Sequence, residues 1–266
     1  MVQTMGRTSS FSKKMNWNKY KNCSALLITG SIDISNKNIP FTQLKDSNER
    51  LKQYLDSIDY AIKNYHTIQK IVFAENTNFK YDYTKLKELA KKYGKELETI
   101  SFEGNIKETS IHGKGYGEIE IINYALKHSE LINTSDIFIK LTGRIKVSNF
   151  DFVILSSYEN NSFYYVSRAN PPYIETIIYK IEKNLFINHF SEIGTEVSDK
   201  DGFYLEHAFL KKIESLKEHY NFGSFRIYRF LRGISGSTGN KYNSSLKSKI
   251  GNTLYCIFKQ FDINKI

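Results

Sequence analysis

The residues best suited to chemistry fall in two concentrations. The first is Lys114-Gly115-Tyr116-Gly117-Glu118, followed by a helical pattern from Ile119 to Leu131 and then by Ser135-Asp136-Ile137-Phe138-Ile139-Lys140-Leu141-Thr142-Gly143-Arg144. Here a glycine-rich turn should open a helix that leads into an apolar strand. Fixed cations beside exposed backbone N–H groups stabilise an anionic leaving group, so Lys114, Lys140 and Arg144 are candidate partners of a diphosphate. The plain alternatives are an edge-strand lysine at Lys140 and a surface arginine at Arg144. The second concentration is Asp201-Gly202-Phe203-Tyr204-Leu205-Glu206-His207. Asp201 is expected to cap a helix, Glu206 is a candidate general base for an acceptor hydroxyl, and His207 would stand near a phosphate or the acceptor. Against this, an acid is favourable at any helix N-terminus, and a lone histidine is usually an ordinary polar residue.

Further polar residues gather where strands should end. Thr29-Gly30-Ser31-Ile32-Asp33 offers small residues that let a ligand approach the backbone, and Asp33 could accept from a ribose or a base. Glu75-Asn76-Thr77-Asn78 and Thr142-Gly143-Arg144 are the other such ends. Each alone reads as an ordinary turn, whereas their recurrence in one α/β pattern points to a nucleotide or nucleotide-sugar site. Ser235-Gly236-Ser237-Thr238-Gly239, flanked by Arg226, Arg229, Arg232 and Lys241, is a candidate phosphate or acceptor loop. There is no GxxxxGK[ST], and Gly113-Lys114-Gly115-Tyr116-Gly117 does not complete GxGxxG, which argues against ATPase and NAD-dehydrogenase readings. Asp199-Lys200-Asp201 formally spells DxD but stands late, ahead of a helix. It reads as a capping loop and leaves dependence on Mn or Mg open.

These residues need elements to position them. Ser24 to Ser31 is a short apolar run that stops at a glycine, the mark of a buried parallel strand. Asp46 then caps a helix with apolar positions at Leu51, Tyr54, Leu55, Ile58 and Ile62, and Lys70 to Asn76 is a second strand. The alternation continues with a helix from Tyr83 to Tyr93 stopped by Gly94, a strand from Leu97 to Phe102, a helix from Glu118 to His128 and a strand from Ile137 to Leu141. Beyond it, Phe152 to Leu155 and Phe163 to Val166 are strand-like, Pro171-Pro172 should open a helix over Tyr173 to Glu182, and Gly202 to Glu218 reads as a long helix.

The chain of 266 residues is long enough to bury a core, and its 3 prolines argue against long linkers. Cys23 and Cys256 suit neither a disulfide framework nor a zinc site, and a reducing, cytoplasmic setting is expected. No apolar run is long enough to span a bilayer, so the expectation is a soluble protein, at most peripheral to a membrane. The net charge of +10 is concentrated at the ends, with +5 over residues 1–22 and +7 over 205–266. Such ends suit phosphate-bearing partners: a nucleotide, an anionic membrane surface or nucleic acid. A nucleic-acid-binding module is therefore one rival reading, and an inactive scaffold of the same fold another.

Taken in order, these motifs resemble bacterial glycosyltransferases of the GT-A type from capsule and lipopolysaccharide O-chain synthesis, including galactofuranosyltransferase-like members. The resemblance rests on Ala25 to Ser31, Ile71 to Asn76, Lys114 to Glu118, Phe138 to Arg144, Asp201 to His207 and Ser235 to Gly239. It implies a mixed α/β, Rossmann-like sheet flanked by helices in a single domain over 23–266, after a flexible basic tail over 1–22. Residues 23–150 would form the nucleotide-sugar half and 151–266 the acceptor half. It further implies a nucleotide-sugar donor, usually a UDP-sugar, and a lipid-linked or oligosaccharide acceptor at the inner face of the membrane. Thr29, Gly30, Ser31, Asp33, Glu75 and Asn76 would meet the nucleotide, with Lys114, Lys140, Thr142, Gly143 and Arg144 at the diphosphate and Glu206 as base. The family's early DxD is missing here. This makes Lys140 and Arg144 substitutes for a metal cation and leaves inversion or retention at the sugar open.

Overall fold

The computed structural model describes residues 20–35, 44–234 and 241–242. In chain order the elements are β1 (Ser24–Gly30), α1 (Ser47–Asn64), β2 (Lys70–Glu75), α2 (Thr84–Lys92), β3 (Glu96–Ser101), α3 (Ile106–His112), α4 (Lys114–His128), α5 (Glu130–Asn133), β4 (Ile137–Thr142), β5 (Ile145–Val147), α6 (Phe150–Leu155), β6 (Asn161–Val166), β7 (Tyr173–Glu182), α7 (Lys183–His189), α8 (Leu205–Leu216), β8 (Phe222–Ser224) and β9 (Leu231–Gly233).

One sheet of seven strands runs β3-β2-β1-β4-β7-β6-β8, and β5 pairs with β9 in a small second sheet. The first four strands are mutually parallel, β7 is antiparallel to β4 and β6, and β8 is parallel to β6. This is a mixed α/β sheet flanked by helices, as the resemblance implied. The continuous apolar runs have a simple cause. Alternate residues of the central strands feed opposite cores: Ala25, Leu27, Val72 and Phe138 pack with α4, α7 and α8, whereas Leu26, Ile28, Phe73 and Ile139 pack with α1 and α6.

Most local expectations in the first half hold. Asp46 accepts from the Glu49 backbone N–H at 2.7 Å and so caps α1, and Gly94 ends α2 with φ of +66°. Four differ. The segment Tyr173 to Glu182 is a strand rather than a helix, because it lies inside the sheet with neighbours on both sides and is buried on both faces. Phe152 to Leu155 belongs to a helix, since so short an apolar run fits either element and packing decides. Gly115 and Gly117 lie within α4, and α3 precedes it, so the glycines are helical and not a turn. In the proposed basic tail, residues 1–19 lie outside the described residues, but Tyr20 is buried and its hydroxyl accepts from Lys180 Nζ at 2.6 Å.

Candidate active site

Period-two alternation along β4 puts Lys140 on the face of Phe138, beneath α4 and beside α8. The Lys140 side chain is fully buried, and Nζ reaches Glu118 Oε1 on α4 at 2.5 Å, Thr142 Oγ1 at 2.8 Å and the Thr176 carbonyl at 2.7 Å. Burial pushes its pKa down, while Glu118 and Glu206 favour the charged form.

Glu206 stands in the first turn of α8, where its Oε1 accepts from Thr176 Oγ1 of β7 at 2.9 Å. Burial holds its carboxyl above the ordinary carboxylate range and Glu118 adds to this, whereas the Thr176 hydrogen bond and Lys140 oppose it. A glycine permits the approach of the two helices. A Cβ on Gly115 would lie 2.8 Å from Leu205 Cβ, so only glycine lets the start of α8 sit this close to α4. The outcome is a buried lysine between two glutamates at the carboxyl end of a central strand.

The facing ends of β1 and β4 form the adjoining wall. The Gly143 N–H donates to the Thr29 carbonyl at 2.9 Å, which ties the Thr142-Gly143-Arg144 turn to β1. Arg144 follows with φ of +65°. Arg50 of α1 donates through Nε at 2.9 Å and through Nη2 to the Ser31 carbonyl, and through Nη1 at 3.0 Å to that of Leu44. The Tyr54 hydroxyl completes the link, accepting from Ser31 N–H at 2.9 Å. Lys114, half-buried, lies within electrostatic reach of Asp199 and Glu206 on one side and of Arg144 and Arg50 on the other.

Several expected site residues have other work. Lys140 is neither an edge-strand lysine nor a free cation: β4 is central, and its ammonium is satisfied within the core. Asp201 does not cap α8. It lies in a short 3-10 turn, exposed, accepting from Ser198 Oγ at 2.5 Å. His207 Nδ1 accepts from the Tyr204 N–H at 3.2 Å, so the ring serves the start of α8. Glu75 is buried and accepts from the Thr77 and Phe79 N–H groups and from the hydroxyls of Thr77 and Ser101, which absorbs it in the turn after β2. Asn76 is buried and bridges Ser31 Oγ to Glu120. Gly30 is backed by rings, since a Cβ there would lie 2.8 Å from Phe73, so its small size serves packing rather than ligand approach. Asp33 accepts from the N–H and hydroxyl of Ser35 near the surface. Lys114 opens α4, its N–H donating to Asp199 Oδ2 at 2.9 Å. The loop Ser235 to Gly239 lies outside the described residues.

Both carboxylates of the Asp199-Lys200-Asp201 stretch take hydrogen bonds from the protein. One carboxylate accepts from the Lys114 N–H and the other from Ser198, and among the described residues no group of three acids, histidines or cysteines converges. Sequence reasoning missed Arg50, Tyr54 and Thr176 and gave Glu118 no role. Arg50 had a signal: it lies four residues before Tyr54 and eight before Ile58 on the buried stripe of α1, a core position for an arginine.

No family model matches the chain and no curated protein does. Similar solved structures include a protein assigned as a glucose-1-phosphate thymidylyltransferase from Bacillus anthracis, bound to sucrose. It is 9% identical with a TM-score of 0.45, over 90% of this chain and 97% of that one. Another is core-mannan synthase A from Aspergillus fumigatus in its Mn/GDP form, at 9% identity and a TM-score of 0.41, over 96% and 92% of the two chains. Values this low assign neither a family nor an activity, and the chemistry rests on this chain's own geometry.

Proposed function

We propose that the protein is a nucleotide-sugar-dependent glycosyltransferase in which Glu206 is the general base. The observation that carries this reading is the Glu118–Lys140–Glu206 cluster beneath the ends of β1 and β4. Open α/β sheets bind nucleotides beyond the carboxyl ends of their strands, and the cationic wall adjoins the cluster there. The acceptor hydroxyl passes its proton to Glu206 as its oxygen bonds to the anomeric carbon. The bond from that carbon to the donor's phosphate oxygen breaks, and the diphosphate leaves with the electron pair. A carboxylate whose pKa is raised by burial is a stronger base than one in water, and Lys140 favours its ionised form. Glu118 and Lys140 position Glu206 and do not touch the substrate. Asp33, at the mouth of β1, is the candidate for the ribose or base. A saccharide or lipid-linked acceptor would enter from the half formed by β6, β7 and α8, and the basic ends would hold the enzyme near anionic lipid. No helix among the described residues is long and apolar enough to cross a membrane.

The test is turnover of a panel of nucleotide-sugars against saccharide acceptors. Glu206→Gln should lower kcat about 10²–10⁴-fold with donor binding retained. Unchanged kcat would remove Glu206 from the chemistry. Steeply salt-dependent binding of an oligonucleotide, with no nucleotide-sugar turned over by the wild type, would replace the transferase by a nucleic-acid-binding module.

A further inference from the structure

We propose that Arg50 and Arg144, arranged about Tyr54, form the subsite for the donor's diphosphate. The assignment of the anion to a donor rests on the transferase reading; the anion site itself does not.

Both guanidiniums address the same tyrosine. Arg50 Nη2 lies 3.4 Å from the Tyr54 hydroxyl, and Arg144 Cζ lies 5.7 Å from the centroid of its ring. Arg50 is buried, and its partners are neutral: the carbonyls of Ser31 and Leu44 and the phenol of Tyr54. Arg144 donates through Nη1 to Gln53 Oε1 at 3.3 Å, while its Nε is buried and has no hydrogen-bond partner among the described residues. Glu49, the acid of the first turn of α1, accepts from Gln53 and not from either arginine. No ion pair within the described residues includes Arg50 or Arg144.

A buried arginine with a second, half-buried arginine beside it and no counterion among the described residues is costly to hold. Burial disfavours the charged form of Arg50, and Arg144 opposes it further. The stretches outside the described residues supply little compensation, because their only acid is Asp262. The missing negative charge is therefore expected from a ligand. The backbone agrees: a non-glycine residue at positive φ is strained, and here the turn is fixed by the Gly143 N–H bond to Thr29. An arginine presents parallel N–H donors to phosphate oxygens.

The experiment is calorimetric titration of the full chain with inorganic pyrophosphate, and in parallel with a nucleoside diphosphate and its nucleoside. Wild type should bind pyrophosphate, and Arg144→Gln should weaken it about ten-fold or more. Nucleoside binding should be unchanged in that variant. Among the described residues the Arg144 side chain makes one hydrogen bond, so its variant should melt like the wild type and the comparison stays decisive. Wild type that ignores pyrophosphate, or a folded Arg144→Gln that binds it equally well, would overturn the subsite. Pyrophosphate bound through Arg144 with no nucleotide-sugar turned over would uphold the subsite and overturn the transferase.

Discussion

The end of β2 and the facing ends of β1 and β4 lie side by side in one sheet, and both are polar, yet they differ in what remains unsatisfied. After β2, Glu75 collects hydrogen bonds from Thr77, Phe79 and Ser101, and Asn76 spans Ser31 and Glu120. That end is closed on itself. At β1 and β4, among the described residues, Arg50 meets only neutral groups and a buried Arg144 Nε is left over, while Glu206 carries a raised pKa beside the Lys140–Glu118 ion pair. A polar strand end becomes a candidate site when hydrogen-bonding capacity or charge is left over, not merely when polar residues occur there.

The sharpest way to break this contrast is at Glu75. If the end of β2 is structural, Glu75→Ala should cost about 3 kcal/mol and lower Tm by roughly 10 °C, while pyrophosphate affinity in the folded variant is kept. A stable variant that loses nucleotide binding would return Glu75 to the site. A smaller effect is expected at Gly30, where a new Cβ would meet the rings of Phe73 and Tyr54: Gly30→Ala should cost about 1–3 kcal/mol in a denaturant melt. Gly117→Ala is the control. Its Cβ would lie at an ordinary 3.4 Å from Asn76 Nδ2, and the change should gain about 0.5–1 kcal/mol from helix propensity.

The smallest effect concerns pH. The native state holds the Glu206 proton more tightly than the unfolded chain, so stability falls as pH rises from the ordinary value of 4.5 through the raised native one. Above that window the penalty for a buried charge is complete. Glu206→Gln, which keeps an acceptor for Thr176, should therefore melt higher than the wild type at neutral pH, and the gain should vanish as pH falls below 4.5. A gain independent of pH would mean that Glu206 is not held at a raised pKa.

Much of this was written locally. The runs at β1, β2 and β4, the Asp46 cap and the Gly94 stop each depend on neighbours within a few residues, and so the parallel half of the sheet was legible. The place of Glu206 at the start of an apolar-faced helix was legible too. Only tertiary structure decided the rest. Tyr173 to Glu182 is buried on both faces between β4 and β6, which erases the alternation that would have marked a strand. Lys140 and Arg144 looked equivalent as cations near one strand end. A step of two residues along β4 carries Lys140 under α4, where Glu118 satisfies it, whereas Arg144 stands beyond the strand beside Arg50. Whether a charge is satisfied depends on partners far away in the chain, and the sequence lists those partners without saying which of them meet.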